Sequence, residues 1–111
     1  MRSRHWLTGL AVVCGASVAC AAHAQDARER AVALLHQYKC YVCHADSEAK
    51  AGPAYVDVAA WYQGVADGEA RVAAVIGKGA HGPGPWHMPP HPEVSKADAK
   101  TMARYILSLR R

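Results

Sequence analysis

Apolar positions recur along this chain with helical period in four places. Between Asp26 and Tyr38, Ala27, Ala31, Val32, Leu34, Leu35 and Tyr38 fall at three- and four-residue steps with Arg28, Glu29, Arg30 and Gln37 between them, which predicts an amphipathic helix. Two shorter helices are predicted over Val56 to Tyr62, ending near Gly64, and over Glu69 to Ile76, stopped by Gly77 and Gly79. The fourth starts at Ser95, whose hydroxyl can cap it, with Asp98 in capping-box position and Val94 placed for a hydrophobic staple onto Ala99. Its apolar stripe is Ala99, Met102, Ala103, Ile106 and Leu107, and arginines close it where the helix end is negative. Between the last two helices, Gly79 to Pro92 holds Gly79, Gly82, Gly84, Pro83, Pro85, Pro89, Pro90 and Pro92. That density of breakers excludes helix or central strand and predicts an ordered loop. The 19 residues after it are too few for a second domain, so the loop returns to the same core. No strand pattern, repeat or low-complexity tract interrupts this all-α reading.

The opening of the chain has a different pattern. Arg2, Arg4 and His5 precede an apolar stretch of 13 residues from Trp6 to Val18, and Ala22-His23-Ala24 matches a small-residue cleavage site. Residues 1–24 are therefore read as a signal peptide, with a mature start at Gln25 and export to the periplasm. An uncleaved anchor would need roughly 20 apolar residues, more than stand before His23, so no stable membrane insertion is expected. A lipoprotein reading at Cys20 is weakened by Ser17, which stands where a large aliphatic residue is usual.

The mature domain, residues 25–111, has 87 residues, a size at which an apolar core is often supplemented by covalent or metal staples. Cys14 and Cys20 leave with the leader, so Cys40 and Cys43 carry any cysteine chemistry. The formal charge of +4 falls once Arg2 and Arg4 are removed, leaving 11 basic against 9 acidic residues. Nucleic-acid and membrane-surface partners are set aside on that ground.

Cys40-Tyr41-Val42-Cys43-His44 is the haem c attachment pattern. Two thiols at this spacing reach one edge of a flat macrocycle and add to its vinyl groups, and the adjacent histidine lies beneath the iron. A thioredoxin-like pair, a structural disulfide and half of a zinc site are the competing readings. The first wants alternating strands and helices, and the last a second cysteine pair, although His81, His87 and His91 keep a zinc set open. For a sixth iron ligand the mature chain offers Met88 and Met102. Met102 belongs to the stripe of the last helix, where a flexible thioether fills gaps. Met88 lies in the breaker-rich loop, held extended by Pro89-Pro90. His87 is its rival, but adjacent residues of an extended segment point to opposite sides, so only one of them faces the iron. His81 and His91 remain alternatives.

At these residues the chain resembles the small bacterial class I cytochromes c, most closely the cytochrome c-551 (cytochrome c8) type. The resemblance rests on the Cys40 to His44 motif, Gly52-Pro53-Ala54-Tyr55 followed by Asp57-Val58-Ala59-Ala60, Met88-Pro89-Pro90, and Ala103-Arg104-Tyr105-Ile106-Leu107-Ser108. It implies an all-α class I cytochrome c fold with crossed first and last helices around one covalently bound haem c. It also implies that the Pro53 carbonyl accepts a hydrogen bond from the ring of His44, fixing the proximal ligand. Two positions depart from the family pattern: Leu35 stands where an aromatic residue is common, and Trp86 is only two residues before Met88. Trp61 and Tyr62 are read as packing into the core or the haem rim.

Two strong axial ligands leave the iron no open position, so the expectation is an electron carrier and not an enzyme. Met and His ligation and a buried haem both raise the potential. A monomeric shuttle would dock redox partner proteins, a quinol-side donor and a terminal oxidase or anaerobic reductase, through a small and weak interface at the haem edge. A ligand-binding haem enzyme and a fixed haem subunit of a larger complex are the rival classes. The intact mass of the exported protein is expected to equal residues 25–111 plus one haem that survives acid-acetone extraction. A mass lacking haem, or a lipid-bearing start at Cys20, would overturn these expectations.

Overall fold

Among the described residues, burial begins at Ala31: every side chain from Val18 to Arg30 is exposed. The computed structural model of the protein describes residues 15–82 and 87–111. The basic start and most of the apolar stretch of the segment expected to be a leader lie outside the described residues, as does Trp86. Helix α1 spans Gly15–Gln37 and runs unbroken through Ala24 and Gln25, starting earlier than the apolar pattern places it. Its patterned half does the packing, with Ala31, Leu34 and Leu35 buried. The helix stops where Lys39 takes the left-handed conformation, φ 59°. That reversal carries the chain directly into a 3₁₀ turn, Cys40–Val42.

Helices α2 (Tyr55–Trp61), α3 (Gly68–Lys78) and α4 (Lys96–Ser108) follow. Gly77 does not end α3. The last helical hydrogen bond runs from Gly79 N–H to Val75 O at 2.8 Å, and the chain turns at Gly79 itself with φ 77°. A side chain there would overlap the Met88 carbonyl and the Pro89-Pro90 backbone, so glycine is needed for conformation and for space together. The loop that follows contains one feature the sequence did not announce. Strands β1 (Ala80–His81) and β2 (His87–Met88) pair antiparallel, with Ala80 opposite Met88 and His81 opposite His87. Among the described residues they pair only with each other. The ribbon is thus compatible with the prolines that bar a central strand.

Helix α4 is the common partner, packing on α1, α2 and α3. Its buried side chains are Ala99, Met102, Ala103, Tyr105 and Ile106. Tyr105 replaces Leu107 in the expected stripe; Leu107 is only partly buried against the core. The α4 cap is half of the expected box. Ser95 Oγ accepts from Asp98 N–H at 3.1 Å, while the Asp98 carboxylate accepts from Tyr38 Oη at 2.8 Å and lies 3.6 Å from Arg30. The acid ties the start of α4 to α1 and does not close the box. Trp61 departs from its core reading, being 63% exposed, whereas Tyr62 packs against the core. Among the described residues no helix is long and apolar enough to cross a membrane.

Met102 and Leu35 are the largest fully buried side chains and sit where α4 meets α1. Met102→Ala is expected to lower unfolding free energy by about 2–5 kcal/mol in urea titration of the haem-loaded protein, since it removes buried contacts and leaves a cavity. A loss below about 1 kcal/mol would show that the site collapses around the gap.

Candidate functional site

The 3₁₀ turn after α1 presents Cys40 half-buried at the core margin and Cys43 exposed. Cys43 N–H and His44 N–H both reach the Cys40 carbonyl, at 3.2 and 3.0 Å. Both thiols are free. Burial pushes the Cys40 thiol above its ordinary range, so it is held protonated, the opposite of the lowered thiol of a thioredoxin-like redox pair.

His44 is fixed from two sides. Its Nδ1 lies 2.8 Å from the Pro53 carbonyl oxygen. A carbonyl only accepts, so Nδ1 donates, and in the neutral ring the lone pair is then on Nε2, free to bind a metal. On its face the ring stacks on Tyr55, with centroids 5.0 Å apart and planes 17° from parallel. The segment that brings Pro53 here is pinned by Gly52 N–H to Cys43 O at 2.7 Å and Tyr55 N–H to Ala45 O at 3.0 Å. A Cβ at Gly52 would overlap the His44 ring, so only glycine lets the backbone come this close.

Behind this turn, Asp46 accepts two phenol hydrogen bonds, from Tyr41 at 2.9 Å and from Tyr105 of α4 at 2.6 Å. Burial first, and the Asp46 carboxylate second, raise the pKa of both phenols above the usual 10.0. Asp46 and Tyr55 were given no individual role by sequence reasoning, and Gly52 was read with Pro53 only as marking a turn. The spacing of Asp46 to Tyr105, 59 residues, carries no local signal.

Met88 and His87 divide between the two faces of β2. Met88 is partly buried and packs against the same core that borders Cys40, while His87 is exposed. The alternation of an extended chain produces that split. The donor set therefore fits a covalently attached haem: two free thiols three residues apart, an imidazole with Nδ1 committed and Nε2 free, and a thioether turned inward. Among the described residues no three His, Cys, Asp or Glu side chains converge, so His81, His87 and His91 do not complete a zinc set with the cysteines. Trp86, whose contact with a propionate the family pattern raises, lies outside the described residues.

The family model described as cytochrome c matches residues 29–110. Cytochrome c-551 of Pseudomonas aeruginosa is 43% identical over 76 residues, covering 68% of this chain and 72% of that protein. Cytochrome c-552 of Hydrogenobacter thermophilus is 42% identical over 79 residues, covering 69% and 79%. Among solved structures, wild-type Nitrosomonas europaea cytochrome c552 superposes with a TM-score of 0.69 at 38% identity, covering 71% of this chain and 99% of that one. The class 1 cytochrome MtoD from Sideroxydans lithotrophicus ES-1 gives 0.63 at 30% identity, covering 72% and 92%.

The Tyr41 and Tyr105 phenols predict an alkaline limit. The folded state holds their protons to higher pH than the unfolded chain does. Their contribution is therefore complete below about pH 10 and is lost as pH rises through the raised folded values. Denaturation midpoints measured from neutral to strongly alkaline pH should fall, and should fall less steeply in Tyr41→Phe. An identical slope in wild type and variant would remove Tyr41 from the alkaline transition.

Proposed function

The chain belongs to the cytochrome c family, whose haem c is attached covalently through the C-x-x-C-H motif, and from that premise we propose that it is an exported single-haem carrier of electrons between redox partner proteins. When bound, the haem supplies a one-electron iron couple. Cys40 and Cys43 would hold the group by thioether bonds, and His44 Nε2 and the Met88 sulfur would ligate its iron. Pro53 sets the orientation of His44 and keeps the proton on Nδ1. The observation that carries this reading is the 2.8 Å contact from His44 Nδ1 to the Pro53 carbonyl, because it leaves Nε2 as the single metal-binding atom of that ring.

The resident side chains also argue for transfer over catalysis. With His44 and Met88 both holding the iron, the chain would leave no open position for a substrate. A stiff donor set changes little between charge states, which suits rapid exchange. The partners we infer are a quinol-side donor and a terminal oxidase or anaerobic reductase, met as a monomer through a small, readily dissociated contact. The periplasm is the compartment that suits covalent haem attachment and the leader pattern of residues 1–24. Cleavage after Ala24 is compatible with the burial of the described residues around it: no side chain from Val18 to Arg30 enters the core.

Met88→Ala is the decisive variant. It is expected to abolish the weak near-infrared sulfur-to-iron band of the oxidised protein, lower the potential and open the iron to carbon monoxide. Ready carbon monoxide binding by the wild type at neutral pH would overturn the closed-iron reading and favour a ligand-binding enzyme.

A further inference from the structure

We propose that His81 and His87 form a surface site for a borderline divalent transition-metal ion such as Zn2+, a site separate from the haem iron that staples β1 to β2. The two residues are directly opposite in the ribbon register. Opposed residues of an antiparallel pair share one face, and their neighbours share the other. Ala80 and Met88 therefore occupy the inner face, and His81 and His87 the outer one, where both are exposed.

The imidazoles already lie at bridging separation, with centroids 5.6 Å apart and planes 21° from parallel. A metal bonded at about 2.0–2.1 Å to one nitrogen of each ring stands about 3.2 Å from each ring centre. Centres 5.6 Å apart then subtend about 120° at the metal, close to the tetrahedral preference of zinc. Turning the ring edges toward a common point requires side-chain rotation alone, which exposure permits.

The backbone beneath the pair is held in place before any ion arrives. His91 N–H donates to Gly77 O at 3.1 Å, Gly79 abuts the Met88 carbonyl, and Pro89-Pro90 fixes the chain after β2. The ordering cost of binding is confined to two side chains. His91 is not a third ligand, because no three ligating side chains converge among the described residues. Water completes the coordination, so the ion exchanges freely, unlike the ion of a closed structural site. Imidazole ligands favour Cu2+, Ni2+ and Zn2+, with Cu2+ tightest.

Zn2+ is the probe, because it has no redox chemistry to mix with that of the iron. The oxidised, haem-loaded protein is titrated by calorimetry and by NMR of the imidazole ring protons. One ion per chain should bind, with the His81 and His87 ring signals moving together. His81→Asn and His87→Asn should each weaken binding by at least about tenfold, and His91→Asn should leave it unchanged. Absence of saturable binding, wild-type affinity in His81→Asn, or an equal loss in His91→Asn would overturn the proposal.

Discussion

The hydrogen bond from His44 Nδ1 to the Pro53 carbonyl is the constraint on which the site depends. It decides the tautomer of His44, and with it which ring nitrogen can meet a metal. To make it, the chain must reverse after Cys43 and bring residue 53 back against the ring. Gly52 permits that approach by having no side chain, and its N–H bonds the Cys43 carbonyl at 2.7 Å. Tyr55, two residues beyond Pro53, then stacks on the same imidazole. One local turn thus sets the protonation, position and plane of the ring.

That turn is fastened to the rest of the molecule through α4. Asp46 joins Tyr41 of the haem-binding turn to Tyr105 of α4, and Asp98 at the start of α4 bonds Tyr38 at the end of α1. Each carboxylate replaces hydration with hydrogen bonds to protein donors, which is what makes a partly buried acid tolerable. The same two acids hold both ends of the α1 to turn junction against α4. Van der Waals packing through Leu35 and Met102 supplies the apolar half of that joint.

The helices and the Ser95 cap were legible in the sequence because local spacing and breaker density encode them, and the hydrogen bond from His44 to the Pro53 carbonyl, expected from the family resemblance, is present. Residues acting through distant partners were not legible. Nothing near Asp46 in sequence reveals Tyr105, and Asp98 sits at a capping-box position yet directs its carboxylate to α1. The core reading of Trp61 fails because its bulk favours burial, whereas α2 is short and turns Tyr55, Val56 and Ala59 inward. Two residues beyond Ala59, it falls about 160° away round the helix, facing solvent. Gly77 shows a related failure: glycine weakens a helix but does not end it, and the termination came from the left-handed turn at Gly79.

The Gly79 to Pro92 loop draws its order from an alternation too short to see as a strand pattern. A two-residue ribbon is enough to send Met88 inward and His87 outward, since consecutive side chains of an extended chain cannot share a face. The prolines after Met88 then prevent the segment from relaxing toward helix, and Gly79 lets α3 end close against it. Backbone geometry therefore turns the thioether, and not its neighbouring histidine, toward the core. The outward histidine is left free for other chemistry because the inward position is taken by the thioether.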